Sequence, residues 1–419
     1  MREMKDSGIE WIGRVPEHWT CIRGKFILTY LQKPVKTNDG VITCFRDGEV
    51  TLRSNRREDG FTMADKEIGY QGVDVGDLVV HGMDGFAGAI GISDTRGKAS
   101  PVLNVLNSSQ NKKYIMYYLR SMAYGEVFTA LATGIRVRSC DLRWNKLSEL
   151  SYPVPPLSEQ KQIATFLDSK CSELDTLSAD IQKEIEILEQ YKKSVIFEAV
   201  SKGNCKVTRV KSGSKIWAEI PLNWKLVDVK YIFEIVKRIA GREGYDILSV
   251  TQKGLKVKDI SDNKGQIAEN YSGYQFVFPY DYVMNHMDLV TGWVDCSDKF
   301  GVTSPDYRVF RLKNKSIHDT NYFKYVMQCC YMCRIFYSLG QGVSTLGRWR
   351  LQTSTFMNFK IPVPPYNEQK GIAAYLDTKC KEIESAIADK KHQLEVLSAY
   401  KKSIIYEYVT GKKEVPNYG

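Results

Sequence analysis

One stretch of this chain is written twice, and that duplication constrains the fold more than any other feature. Residues 152–200 align with 361–409 without a gap, 209 positions apart, and about half of the aligned residues are identical. "PVPPLSEQK" from Pro153 and "PVPPYNEQK" from Pro362 open the two copies. Leu167/Leu376, Asp168/Asp377, Cys171/Cys380 and the run "YKKS" at Tyr191 and Tyr400 follow in register. The likeness continues upstream more faintly: Gly76–Pro101 lines up with Tyr280–Pro305 through Asp77/Asp281, Met83/Met287, Asp84/Asp288, Gly88/Gly292 and Gly97/Gly301. "WIGRVPEHW" (Trp11–Trp19) echoes "WAEIPLNW" (Trp217–Trp224). Self-similarity at a fixed spacing means a repeated structural unit. The chain therefore reads as a variable block, a well-matched block, and both again.

The well-matched blocks are predicted to be single long helices. Ser158 and Asn367 stand as N-caps after Pro-Pro pairs, with Glu159 and Glu368 at the positive helix end. Neither run contains proline, and Gly203 and Gly411 lie just past the ends, where helices commonly stop. Leu167, Leu174, Ile181, Leu188 and Val195 recur every seven residues; Leu376, Ile383, Leu397 and Ile404 repeat the row, with Lys390 interrupting it. Leu177, Ile185 and Tyr191, or Ile387, Leu394 and Tyr400, are expected to widen the stripe. A sustained seven-residue row is a coiled-coil seam. About 40 residues at ~1.5 Å each make a rod of roughly 60 Å. Two such rods in one chain are expected to pack on each other.

The variable blocks are expected to be mixed α/β. Short β-branched and aromatic runs, Asp77–His81, Tyr274–Phe278 and Tyr307–Leu312, are punctuated by Gly, Asp and Asn. Each block closes with an aromatic helix, from Asn111 or from Thr320, followed by a basic loop, "GIRVRSCDLRW" or "GVSTLGRWR". The fold class is therefore α+β: two repeated mixed α/β domains joined by two long helices, forming an antiparallel coiled coil with pseudo-two-fold arrangement. The boundaries are a first domain at 1–151, a helix at 152–203, a second domain at 204–360, a helix at 361–413 and a tail at 414–419. Residues 201–215 read as the linker into the second block.

Composition enters through charge. Lys and Arg number 59 against 49 Asp and Glu, a net +10, which points towards a polyanionic partner. Basic residues gather in the loops of the variable blocks. The first holds Arg46, Arg53, Arg56, Arg57, Lys98, Arg136, Arg138 and Arg143. The second holds Lys237, Arg238, Arg242, Lys253, Lys256, Lys258, Arg348 and Arg350. Arginine reads guanine edges bidentately, and either cation neutralises phosphate, so these are the candidate DNA-binding residues. A solvated charged face is the competing account of any one of them. No apolar run reaches the ~18–20 residues of a membrane span, and "MREMKDSGIEW" offers no apolar core for a signal peptide; a cytoplasmic location is expected. The ten cysteines are scattered rather than framed, as reduced thiols would be.

Catalytic motifs fail on inspection. "VPPY" from Val363 lacks the amide or carboxylate that opens the signature of amino-methyltransferases. "GISDTRGKAS" from Gly91 has the wrong spacing for a phosphate loop. Cys330 and Cys333 have no second pair to complete a zinc site, and the five histidines show no ligand spacing. No catalytic residue and no metal site is assigned.

The whole pattern resembles the specificity (S) subunit of type I restriction-modification systems. "SGIEWIGRVPEHW", "PVPPLSEQKQIATFLD" and "PVPPYNEQKGIAAYLD" carry the resemblance, above all the Pro-Pro-x-x-Glu-Gln helix start present twice. The resemblance implies two target recognition domains, each reading one half of a bipartite, asymmetric sequence in double-stranded DNA. The two helices would be the conserved regions that space the domains. It implies two methyltransferase subunits as partners and two ATP-dependent restriction/translocase subunits. S-adenosylmethionine, ATP and Mg2+ would belong to those partners, with none in this chain. Two other classes stand beside it: a coiled-coil scaffold with protein-binding domains, and a self-sufficient DNA methyltransferase or nuclease.

Overall fold

The structure, a computed structural model, describes residues 2–56, 67–131, 142–203, 207–258, 270–342 and 349–416. The chain forms two compact units, one of residues 1–182 with 392–419, the other of residues 183–391.

In the first unit a four-stranded antiparallel sheet runs in the order Leu28–Tyr30, Leu103–Ser108, Leu78–His81, Ile90–Ile92. Helix α1 (Lys112–Tyr124) covers one face, burying Tyr114, Ile115, Tyr118, Leu119 and Met122. Asn111 caps it by accepting from the Tyr114 amide at 3.0 Å. On the other face sits a smaller cluster of Ile42, Cys44, Val50, Val73, Val79 and Val105. Its strands are the hairpin Ile42–Cys44/Val50–Leu52 and the pair Gln71–Val73/Gly97–Ala99. The sheet is thus buried on both faces, which its uninterrupted "LVV" and "NVL" runs require.

The first long helix, α2 (Leu157–Lys202), starts in this unit. The second unit repeats the plan. Its sheet runs Phe233–Val236, Arg308–Leu312, Tyr282–Met284, Val294–Cys296. Helix α3 (Thr320–Met332) covers it, capped by Asp319. A hairpin Leu248–Thr251/Gly254–Val257 and a pair Gln275–Val277/Gly301–Thr303 flank the far face. The last long helix is α4 (Tyr366–Val409).

Within each unit the two long helices run antiparallel. In the first, Phe166 packs on Tyr408 with ring centroids 4.5 Å apart, and Lys401 Nζ reaches Asp175 at 2.6 Å. In the second, Lys390 pairs with Glu184 and Lys192 with Glu384, both at 2.5 Å. Lys390, which breaks the seven-residue row, thus has a cross-helix partner. Leu167, Leu174, Ile181, Val195, Leu376, Ile383 and Ile404 are buried, while Leu188 and Leu397 are half-buried. Ile185 and Ile387 are buried and Leu394 half-buried, but Leu177, Tyr191 and Tyr400 are exposed. The correction is geometric. At 3.6 residues per turn, a residue four past the row lies about 40° from it, whereas one three past lies about 60° to the other side. The buried face leans to the first side, taking in Cys171, Ile185, Cys380 and Ile387.

Two local expectations also change. The helices begin one residue before Ser158 and Asn367. Pro156 and Pro365 accept the first helical bonds, from the amides of Gln160 and Gln369 at 3.0 Å each, so Ser158 and Asn367 lie inside the first turn. The supposed linker contains a strand, Arg209–Lys211, paired with Glu219–Pro221. It matches the pair Met4–Ile9/Gly13–Pro16 of the first unit and went unseen because its three residues are all exposed. Gly203 and Gly411 do end the helices, with φ of 72° and 70°. A side chain at Gly411 would strike Pro16 and Trp19.

Candidate nucleic-acid interface

The repeated phrase is a joint that fixes each variable block to its helix. Gln160, fully buried, accepts from the Asn111 amide at 2.9 Å and donates to the Pro155 carbonyl at 2.8 Å. Gln369 does the same to the Asp319 amide and the Pro364 carbonyl, both at 2.8 Å. Glu159 accepts from the Trp19 indole at 3.2 Å, and Glu368 from Trp224 at 2.9 Å. Burial pushes the Glu159 carboxyl up, yet bonds from Arg2, His18 and Trp19 outweigh it and leave it below its usual value. About two turns further along each helix, Asp168 accepts from Tyr117 at 2.8 Å and Asp377 from Tyr325 at 2.7 Å. The Tyr114 hydroxyl sits 2.8 Å from the Pro153 carbonyl and 2.9 Å from that of Val409; Tyr322 makes the matching contacts to Pro362 and Val200. Buried polar groups must be paired, and here the pairing orients the sheet on the rod.

Each unit then carries a cleft at the same place in its fold. The first, of ≈ 940 Å³, is lined by Thr43, Arg46, Arg53, Arg56, His81, Met83, Asp84 and Ser100 among others. The second, of ≈ 340 Å³, is lined by Ser249, Lys258, Asn285, Met287, Asp288 and Ser304 among others. The hairpins supply Arg53 and Lys258 from equivalent positions: the Arg53 amide donates to the Val41 carbonyl at 2.8 Å, and the Lys258 amide to Ile247 at 2.7 Å. The turn after the third sheet strand supplies His81 and Asn285. His81 Nδ1 accepts from the amides of Met83 and Asp84, at 3.2 and 3.0 Å. Asn285 Oδ1 accepts from the Met287 amide at 3.3 Å. Burial lowers the His81 pKa, favouring the neutral ring. On the neighbouring sheet strands, Asn104 Nδ2 donates to the Leu142 carbonyl at 2.9 Å, and Arg308 Nη2 to that of Leu351 at 3.0 Å. Burial pushes the Arg308 guanidinium down to about 10.

The cationic candidates divide by surroundings. Arg46, Arg53 and Arg56 meet in the first cleft. Arg46 pairs with Asp84 at 2.9 Å, Arg53 Nε donates to Thr43 Oγ1 at 3.3 Å, and Arg56 pairs with Asp47 at 2.6 Å while lying 4.3 Å over the Phe45 ring. Arg143 is exposed beside Leu142, whose amide bonds Gly82 between His81 and Met83. Lys98, on the strand Gly97–Ala99, pairs with Glu67 at 2.7 Å. In the second unit Lys258 lines the cleft, and Lys253 and Lys256 stand exposed on its hairpin. Lys237 is exposed. Arg238 pairs with buried Asp281, as Lys33 does with Asp77 at 2.6 Å; that position is a tie within the fold in both units. Arg242 Nε donates to the Tyr245 hydroxyl at 2.6 Å. Arg350 pairs backbone to backbone with Gln341, one residue before the Leu351 amide that bonds the His286 carbonyl. Arg57, Arg136, Arg138 and Arg348 lie outside the described residues.

His81, Asn285, Thr43 and Ser249 were not among the sequence candidates. A signal was available: "HGMD" and "NHMD" keep Met-Asp and change the residue at the cleft. Cys329 and Cys330 are buried in the second core, with Cys329 Sγ 3.9 Å from Cys333 Sγ.

The family model for the type I restriction modification DNA specificity domain matches residues 75–187 and 221–395, more than half of the chain. The type I restriction enzyme MjaVIII specificity subunit of Methanocaldococcus jannaschii is 27% identical over 433 residues, covering 96% of this chain and 95% of its own. The putative MjaX specificity subunit of the same organism is 27% identical over 75% of this chain and 71% of its own. A chain from a solved type I restriction-modification system superposes with a TM-score of 0.68 at 12% identity, over 95% of this chain and 99% of its own; at that identity the likeness is one of fold. With the match present twice, once in each repeat, this chain belongs to the family of type I restriction-modification DNA specificity subunits.

Proposed function

We propose that each unit reads one half of a bipartite, asymmetric sequence in double-stranded DNA, and that the cleft over each sheet is where bases are read. The observation that carries this is the pair of clefts: one architecture, built twice, with different side chains at the same backbone positions. A single-target binder needs no such divergence, whereas a split, asymmetric target does. The net charge of +10 favours the phosphate backbone, whose contacts position a reader without specifying sequence.

In this reading the chain carries no chemistry of its own. Two methyltransferase subunits dock on it and supply S-adenosylmethionine chemistry, and two restriction/translocase subunits, using ATP and Mg2+, complete the assembly. The long helices, each contributing to both units, set the unread spacer. No helix among the described residues is long and apolar enough to cross a membrane, and a cytoplasmic complex is the setting proposed.

The test is methylome sequencing of cells carrying this chain with its methyltransferase partner. A split motif is expected, and R46Q/R53Q is expected to weaken modification at least 10-fold. Unchanged duplex binding by that variant would instead favour a protein-binding scaffold; modification or cleavage by the isolated chain would make it an enzyme.

A further inference from the structure

The two clefts share a frame and differ where they donate. Met83/Met287, Asp84/Asp288 and Ser100/Ser304 are the same residue in both, while Arg53/Lys258 and His81/Asn285 are not. The differing residues occupy matched backbone positions, although the first cleft is the larger, at ≈ 940 Å³ against ≈ 340 Å³. His81 spends Nδ1 on the Met83 and Asp84 amides, which leaves Nε2–H, 3.9 Å from the Asp84 carboxylate, as its donor. Asn285 spends Oδ1 on the Met287 amide, which leaves the Nδ2 group as its donor. Both are held by their own turn, so each donor is presented with little freedom to lose on binding. Arg53, whose Nε donates to Thr43 Oγ1 at 3.3 Å, adds a planar guanidinium, and Lys258 a compact ammonium that takes one acceptor at a time.

On a duplex, the matching acceptors in the major groove are purine N7, guanine O6 and thymine O4. An arginine fork spans the two acceptors of one guanine, while an ammonium discriminates less. Asparagine pairs with adenine through donor and acceptor together, but the Oδ1 of Asn285 is already engaged, which favours an acceptor-only edge.

We propose that Arg53 with His81, and Lys258 with Asn285, are specificity-determining pairs, each setting the base accepted at one position of its unit's half-site against an acceptor-rich base edge. The assignment rests on the reading of this chain as a DNA-recognising subunit. It makes the first unit the stricter of the two at that position.

The experiment exchanges the pairs in the full chain, co-expressed with the methyltransferase subunit: R53K/H81N in one variant and K258R/N285H in the other. Methylome sequencing reads the two half-sites separately. The first exchange is expected to relax one base position of one half-site, with modification at the formerly rejected bases rising about 10-fold relative to the preferred one. The second is expected to sharpen one position of the other half-site. An unchanged ratio at every base overturns the assignment, as does one exchange altering both half-sites. Where R53K/H81N lowers the melting temperature, R53K alone decides, since it keeps charge and stem: relaxation supports the assignment, and unchanged ratios overturn it. The unaltered chain run alongside separates the two levels. No split motif there removes the DNA-recognition reading itself; a split motif there with inert exchanges removes only the role of these residues.

Discussion

Gln160 and Gln369 show why a phrase without reactive chemistry is written twice. Each is almost wholly buried and joins a proline carbonyl at the rod to the amide of the residue that caps an aromatic helix. An apolar replacement of similar size fills the space and leaves both backbone groups unpaired, at about 1–3 kcal/mol for each. Gln369→Leu is therefore expected to lower the stability of the second unit by roughly 2–6 kcal/mol, read as a fall in its denaturant midpoint; a change within about 0.5 kcal/mol would show that water or a rearranged loop satisfies those groups. Sequence alone made the phrase visible through its repetition. It could not say what the glutamine holds, because Asn111 and Asp319 stand about 50 residues away and carry no mark of the partnership. The cleft residues were harder still. Arg53 drew notice through its charge, while His81 looks ordinary until the sheet sets its turn beside the hairpin.

At the scale of elements, the long helices were legible because a seven-residue row survives without tertiary information. The side towards which the buried face leans was not, since rows three and four residues away look equally apolar on paper. Leu376 is fully buried and Tyr400 is 54% exposed, although both were expected to serve the same stripe. Leu376→Ala is expected to cost about 2–5 kcal/mol, as removal of a buried leucine does. Tyr400→Ala should stay within about 0.5 kcal/mol, unless it meets a partner subunit. Urea unfolding of both variants makes the comparison, and equal losses would mean that the helix faces are misassigned. The cross-helix pairs add register rather than strength: Lys192–Glu384, Lys390–Glu184 and Lys401–Asp175 each have an exposed carboxylate, and such pairs contribute roughly 0–1 kcal/mol.

Across the whole molecule, the repeat is closed by a segment that local pattern cannot place. Residues 392–419 belong to the first unit, where Ile404, Ile405, Tyr408 and Val409 enter the core with Ile9, Val15 and Trp19. The second unit closes instead with Ile196, Ala199 and Val200 from the end of α2, so its core lies within one continuous stretch, residues 183–391. The sequence shows two equal copies; the chain's course makes them unequal in what each needs to fold. Losing four buried apolar side chains at about 1.5–3 kcal/mol each removes on the order of 6–12 kcal/mol, comparable with the whole stability of a domain. A chain ending at residue 391 is therefore expected to lose the first unit's folding transition and keep that of the second, while a fragment of residues 183–391 melts cooperatively alone. Calorimetry with limited proteolysis distinguishes the two units. A chain ending at 391 with both transitions intact would mean that the first core closes without the far end of α4, and that the seam rather than the core is what binds that segment.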